Sequence, residues 1–190
     1  PLSRVPLALI PFLNGARMPP PERRAAVGAG FAADAVFYRS PDYVRNVTEG
    51  RVANLFFFWC CVALTWVLAG GRSDPAVAFL AGAAVATLPP IVAHSGFATT
   101  DIPFVASFLL AMVALRRVLC APSLKSASVA GVALGVAVAT KFSTLVFLPP
   151  AVAAVLVTHH WDQRASWLAV IARAAFWRLV VVIGGVALFV

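Results

Sequence analysis

Long apolar stretches separated by short polar segments are the feature that most constrains the fold of this chain. A helix needs about 20 mainly apolar residues to cross the hydrocarbon core of a bilayer, and the run VANLFFFWCCVALTWVLA at 52–69 comes close to that length. The 190-residue chain is 62% hydrophobic and only 12% charged, whereas soluble domains carry roughly 25% charged residues. The composition excludes an ordinary soluble core and predicts an integral membrane protein.

The pattern predicts an all-α fold, a polytopic transmembrane helix bundle. We expect spans at about 52–69, 75–93, 102–117, 127–140 and 142–158, and a truncated sixth span at 179–190. These form a transmembrane domain over 52–190, in which the Gly, Ala and Val residues of 127–140 suit close helix packing in lipid. Residues 1–51 are richer in charge and predict an N-terminal interfacial (juxtamembrane) segment, with short amphipathic helices at 20–38 and 41–50.

The formal net charge of +8 predicts orientation rather than a nucleic-acid partner, because no basic cluster is interleaved with exposed aromatics. Successive loops between the spans lie on alternate sides of the membrane, and their Lys and Arg residues number seven on one side and one, Lys141, on the other. This asymmetry predicts that the side with seven is cytoplasmic. The seven arginines of 1–51 would fall on the opposite side and bring the count to seven against eight, which leaves the orientation unsettled by charge alone. We give the short loops more weight, because long segments cross largely regardless of charge.

Polar residues cluster between two apolar runs, in the stretch AHSGFATTDIPF at 93–104. Asp101 in this stretch has two interpretations. It either caps a helix, or it orients a substrate hydroxyl or contributes to a general-base site, since an acid at membrane depth is costly and often functional. Lys141 interrupts a long apolar run and is either a snorkelling interface residue or a point charge for a phosphate. Arg51, just before the first span, has the same two interpretations. His94 alone is more typical of a helix-end histidine than of a metal ligand.

Four stretches in order, PL…ALIPFL…PPPERR, RVANLFFF, LPPIVAHSGFATTDIPF and GVALGVAVATKFSTLVFLPP, resemble the polytopic C-type glycosyltransferases. The chain is most similar to the bacterial branch related to protein O-mannosyltransferases and aminoarabinose transferases. The resemblance covers essentially the whole chain, and the combination of AH-x-x-x-ATTD with a later TKFS is its most specific part.

The resemblance implies transfer of a sugar from a polyprenyl-phosphate-linked donor to an acceptor hydroxyl on a protein, lipid or glycan, at the periplasmic or lumenal face. Asp101 matches a supporting family acid, Lys141 a lysine near the lipid phosphate, and Arg51 the arginine that opens the span after the first outer loop. We also predict that His94 and Thr100, from the same polar stretch as Asp101, bind substrate. The principal catalytic acid of the family precedes Pro1, so we expect this chain, cut at both ends, to be inactive alone.

Two other functions compete with this one. A transporter or channel subunit would also use a polar loop and a lone lysine among spans, and a non-catalytic membrane subunit would need no chemistry at all. No cofactor is certain from the sequence, and a divalent metal stays open. We expect a multi-pass protein in the bilayer of a bacterial inner (plasma) membrane.

Overall fold

The computed structural model describes residues 2, 4–17, 42–71, 73–121 and 123–163, with side chains up to residue 158. The described part is built from helices and turns and contains no strand, which confirms the predicted all-α fold. Its helices are α1 (Arg4–Leu13), α2 (Tyr43–Leu68), α3 (Pro75–Thr87), α4 (Pro89–Ser95), α5 (Asp101–Cys120), α6 (Leu124–Thr140) and α7 (Thr144–Gln163). The helix predicted at 20–38 and the span predicted at 179–190 lie outside the described residues.

Two elements differ from the sequence prediction in their bounds. The predicted short helix at 41–50 and the predicted span at 52–69 form one continuous helix, α2, because no Pro interrupts residues 43–68. The predicted span at 75–93 is two helices, α3 and α4, bent by 61°. The bend lies at Leu88, whose backbone is extended as expected before the pair Pro89-Pro90.

The membrane character of the bundle is clear from helix length and composition. Within the described residues, α2 and α5 are long and apolar enough to cross a membrane, and the bent pair α3 and α4 makes a third candidate if it counts as one span. Half of the most apolar window of α5 is buried, against 11% in α2. Helix α5 is therefore central, whereas α2 exposes large apolar side chains such as Phe56 and Trp59, as a lipid-facing helix does.

Helices α2 and α5 run parallel to each other and α6 runs antiparallel to both, and this arrangement defines the two ends of the bundle. The first turns of α2 lie beside the loop 96–100, and its last turn is joined to α5 by the Arg116 guanidinium, which donates to the Leu68 carbonyl at 2.6 Å. Helix α6 returns from the Arg116 end to the start of α5. We call these the Arg116 end and the Asp101 end of the bundle.

The amino-terminal residues also lie at the Asp101 end. The Leu2 amide donates to the Ala139 carbonyl at 3.0 Å, and so binds one of the carbonyls that the end of α6 leaves without an intrahelical partner. Helix α1 then packs against α2 through the buried Leu7. Leu2 thus lies at the same end of the bundle as the start of α5 and the end of α6, and α1 packs beside α2.

The main core is formed between α5 and α6, which make the most extensive helix contact in the described part. Small side chains dominate it, with Ala111, Ala114, Ala130, Ala133 and Ala137 among its buried members. In lipid there is little hydrophobic drive between helices, so association depends on close van der Waals packing that small residues permit. This packing sets the spacing of the two helix ends that carry Asp101 and Lys141.

Enlarging one of these small side chains should therefore loosen the bundle. Ala130 is fully buried, and we expect Ala130→Leu to cost about 1–3 kcal/mol through overpacking. The matched control is Val132→Leu on the same helix, because Val132 is 56% exposed. Thermal unfolding in detergent should show a lower midpoint for Ala130→Leu only; equal midpoints would contradict tight α5–α6 packing.

Candidate functional site

Asp101 is the first residue of α5 and does not act as its capping residue. Thr100 occupies the N-cap position and its side chain makes no capping hydrogen bond. The Asp101 carboxylate instead faces Lys141. A negative charge in the first turn still interacts favourably with the positive end of the helix dipole. The capping interpretation of this aspartate is thus replaced by a side-chain pair between two helices.

Lys141 ends α6 because its backbone is extended rather than helical, with φ −158° and ψ 126°. The turn that follows is stabilised by Thr144, which is fully buried. The Thr144 hydroxyl lies 2.7 Å from the carbonyl oxygens of Ala137 and Lys141, toward which it donates. Each of these carbonyls also accepts a backbone amide, Ala137 from Lys141 at 3.2 Å and Lys141 from Thr144 at 3.0 Å. Thr144 therefore fixes the turn from which the Lys141 side chain extends.

The two charges meet at the end of the bundle. Lys141 Nζ donates to Asp101 Oδ1 at 2.6 Å, and His94 Nδ1 lies 3.3 Å from Asp101 Oδ2. The ammonium also lies 5.7 Å from the centroid of the Phe104 ring, within the range of a cation–π interaction. Each charge also complements the dipole of its own helix, since the acid is at an N-terminus and the cation at a C-terminus.

The three polar side chains remain open to a ligand. Their exposed fractions are 36% for Asp101, 40% for Lys141 and 48% for His94. An ammonium has three donors, and only one of those of Lys141 is engaged with a side chain in the described part of the chain. His94 Nε2 likewise has no hydrogen-bond partner among the described residues. The site can offer N–H donors to an anion while its carboxylate holds both nitrogen groups in place.

The other two predicted site residues lie at the same end of the bundle but do not touch this group. Arg51 is exposed and makes no hydrogen bond or ion pair with any described residue. Thr100 is half-buried, immediately before Asp101, and its hydroxyl makes no hydrogen bond to the described residues either. The structure thus brings together Asp101, Lys141 and His94, and it leaves Arg51 and Thr100 outside the contact.

Sequence reasoning missed the residue that connects α2 to the polar loop. Asn54 is completely buried, and its side-chain amide donates to the carbonyls of His94 at 2.9 Å and Phe97 at 2.5 Å. The signal was present, because a lone amide in the run RVANLFFF is unusual for a lipid-facing position. Thr144 was missed for a different reason, since a threonine after a helix-ending lysine resembles an ordinary turn residue.

The other acids of the described part lie apart from the site. Glu49 accepts hydrogen bonds from Asn14 at 2.6 Å and Arg45 at 3.0 Å. It borders an open cavity of about 420 Å³ together with Asp42. The Glu49 side chain is only 15% exposed. No group of three or more His, Cys, Asp and Glu side chains suited to a metal ion occurs among the described residues.

Comparison with known proteins identifies the family. Neither the curated proteins nor the solved structures contain a match to this chain. A family model described as dolichyl-phosphate-mannose-protein mannosyltransferase matches residues 45–185, which include nearly all of α2, the helices α3 to α7 and the whole polar group. This match and the apolar helices together indicate an integral membrane protein. The resemblance to C-type glycosyltransferases related to protein O-mannosyltransferases is confirmed, whereas the bacterial branch stays a prediction. The chain belongs to the dolichyl-phosphate-mannose-protein mannosyltransferase family of membrane glycosyltransferases.

Proposed function

We propose that this protein transfers a sugar from a polyprenyl-phosphate-linked donor to an acceptor hydroxyl at the Asp101 end of the bundle. In this reaction the bond between the anomeric carbon and the phosphate oxygen breaks, and a bond to the acceptor oxygen forms. The acceptor proton goes to a base, and the electron pair of the broken bond leaves with the lipid phosphate. The single observation that supports this proposal most is the Lys141–Asp101 pair, 2.6 Å between Nζ and Oδ1, at a helix end.

Lys141 is proposed to bind the donor phosphate. Negative charge accumulates on the phosphate as the sugar leaves, and a fixed ammonium stabilises that charge more in the transition state than in the ground state. The lysine is suited to this because its position is set by the α6 end, the Thr144 hydrogen bonds and Asp101. Its location among the exposed Phe142 and Leu145 would let the phosphate bind while the polyprenyl chain stays in lipid.

Asp101 is proposed to be a supporting acid rather than the principal base. Both of its oxygens already face nitrogen atoms, Lys141 Nζ and His94 Nδ1. A carboxylate in such contacts orients its partners, and it can share hydrogen bonds with an acceptor hydroxyl from the exposed side. His94 would then present Nε2 to the substrate. For Arg51 and Thr100 we retain substrate binding as a proposal, because both lie close in sequence to elements of the site.

The Asp101 end is proposed to face the periplasm of a bacterial inner membrane. Arg116, Arg117 and Lys125 lie at the opposite end of α5 and α6, and basic residues in short loops favour the cytoplasmic side. A donor presented on the periplasmic leaflet would then meet Lys141 at headgroup level. The acceptor would be a protein, lipid or glycan that reaches this face.

The first prediction concerns transfer itself. In the full-length protein in membranes, Lys141→Ala should lower kcat by about 10²–10³-fold, because no donor replaces the ammonium at the leaving phosphate. Asp101→Asn should cause a smaller loss, since it leaves the ammonium in place. The measurement is sugar transfer from dolichyl-phosphate mannose to a hydroxyl-containing acceptor peptide. Lys125→Ala, at the other end of α6, is the control and should transfer normally. Wild-type rates in both site variants would refute the proposed roles.

A second prediction separates chemistry from folding. The Asp101 and Lys141 side chains are 36% and 40% exposed, and exposed ion pairs typically contribute less than about 1 kcal/mol. We therefore expect Asp101→Asn and Lys141→Gln to unfold in detergent within a few degrees of the wild type. If either variant failed to accumulate in membranes, its loss of transfer would reflect folding instead.

The proposed orientation is tested by labelling. In a protein with Cys60 and Cys61 replaced by Ala, a membrane-impermeant maleimide added to intact cells should label Phe142→Cys, at the Asp101 end. The native Cys120, exposed at the Arg116 end, should react only after the cells are opened. Labelling with the reverse pattern would place the site on the cytoplasmic side and contradict the orientation.

A further inference from the structure

The loop between α4 and α5 has its contact with α2 at two adjacent turns of that helix. Asn54 Nδ2 donates to the carbonyls of His94 and Phe97. One turn earlier, Gly50 faces Ala98, and a Cβ added to Gly50 would lie 3.2 Å from the Ala98 Cβ. This distance is tighter than ordinary van der Waals contact, so a Cβ at position 50 would require the loop to move by a few tenths of an ångström.

The chemistry of the Asn54 contact fixes its direction. Carbonyl oxygens only accept hydrogen bonds, so the amide must present its NH₂ group to them. Each of the two carbonyls also accepts a backbone amide, His94 from Phe97 at 3.4 Å and Phe97 from Thr99 at 2.8 Å. Asn54 therefore binds the second lone pair of both oxygens and joins the loop to α2. Asn54 Oδ1 has no hydrogen-bond partner among the described residues. The contribution of this side chain to the loop is therefore made by its two N–H groups.

The loop that Asn54 holds carries two members of the polar group. His94 lies at the end of α4, and Asp101 follows Phe97 by four residues at the start of α5. Cys61, further along the same buried stripe of α2, lies with its thiol 3.8 Å from the Ile102 carbonyl. Helix α2 thus contacts the chain before, within and just after the loop, although it contributes no side chain to the Asp101–Lys141 pair.

We infer that Asn54 is a positioning residue for glycosyl transfer. Its hydrogen bonds to the loop carbonyls fix the positions of His94 and Asp101, and Asp101 in turn fixes the position of Lys141. This inference rests on the function proposed above. Asn54 lies beneath the loop, completely buried, and acts only through the placement of the groups that would touch substrate. A misplacement of catalytic groups by about 1 Å can cost on the order of 10²-fold in rate.

The first test is Asn54→Leu in the full-length protein, which keeps the branching and the number of side-chain heavy atoms and removes both donors. We expect kcat for transfer from dolichyl-phosphate mannose to fall roughly 10- to 100-fold, with a smaller change in the donor KM. The control is Thr87→Val, because the Thr87 hydroxyl binds only carbonyls of its own helix; its transfer should be normal.

A double-mutant cycle distinguishes positioning from a general defect. If Asn54 acts through Asp101, adding Asn54→Leu to Asp101→Asn should cause little further loss, because coupled sites are not additive. If the fold-loss of the double variant equals the product of the two single losses, Asn54 acts independently of Asp101 and the inference is overturned. Normal transfer in Asp101→Asn and Lys141→Ala would instead refute the proposed function, which is a different outcome.

Gly50→Ala provides a second variant that does not depend on the folding of Asn54→Leu. Alanine favours a helix by about 1 kcal/mol over glycine, so a purely structural role predicts an equally or more stable, fully active protein. We expect transfer to fall because the new Cβ displaces Ala98 and the loop. Unchanged kcat in Gly50→Ala, measured beside an unchanged or higher unfolding temperature, would overturn the inference.

Discussion

Close packing of α5 against α6 is the interaction on which the rest of the structure depends. Alanine side chains at the contact bring the two backbones together, and in lipid this proximity replaces the hydrophobic drive that a soluble core would have. Because the two helices are antiparallel and joined by a short turn, the start of α5 meets the end of α6. A looser contact would leave Asp101 and Lys141 too far apart to pair.

The polar group depends on the same geometry for its electrostatics. Asp101 lies at the positive end of one helix dipole and Lys141 at the negative end of another, so each charge is stabilised by its own helix as well as by the other. The charges lie at the bundle mouth and are partly exposed, which avoids the cost of burying an ion pair. A site for a charged phosphate at the membrane surface requires this combination of fixed position and access.

Much of this arrangement was predictable from the sequence, and the failures have physical reasons. Asp101 and Lys141 stood out because a charge among apolar residues is costly enough to need an explanation. Arg51 also stood out, but proximity in sequence to a span does not determine the direction of a side chain, and it makes no contact with the pair. Asn54 was passed over because an amide has no formal charge, and its importance comes only from which carbonyls lie opposite it.

The sequence by itself determined that the chain is a helical membrane protein, because apolar runs of this length and so few charges allow no other fold. It also determined which polar residues needed an explanation, and it identified the family. Only the tertiary structure decided that Asp101 pairs with Lys141 instead of capping α5, and that α2 holds the loop between α4 and α5. These contacts join residues about 40 positions apart, and such pairings follow from the distance and direction of helix packing, which local sequence patterns do not encode.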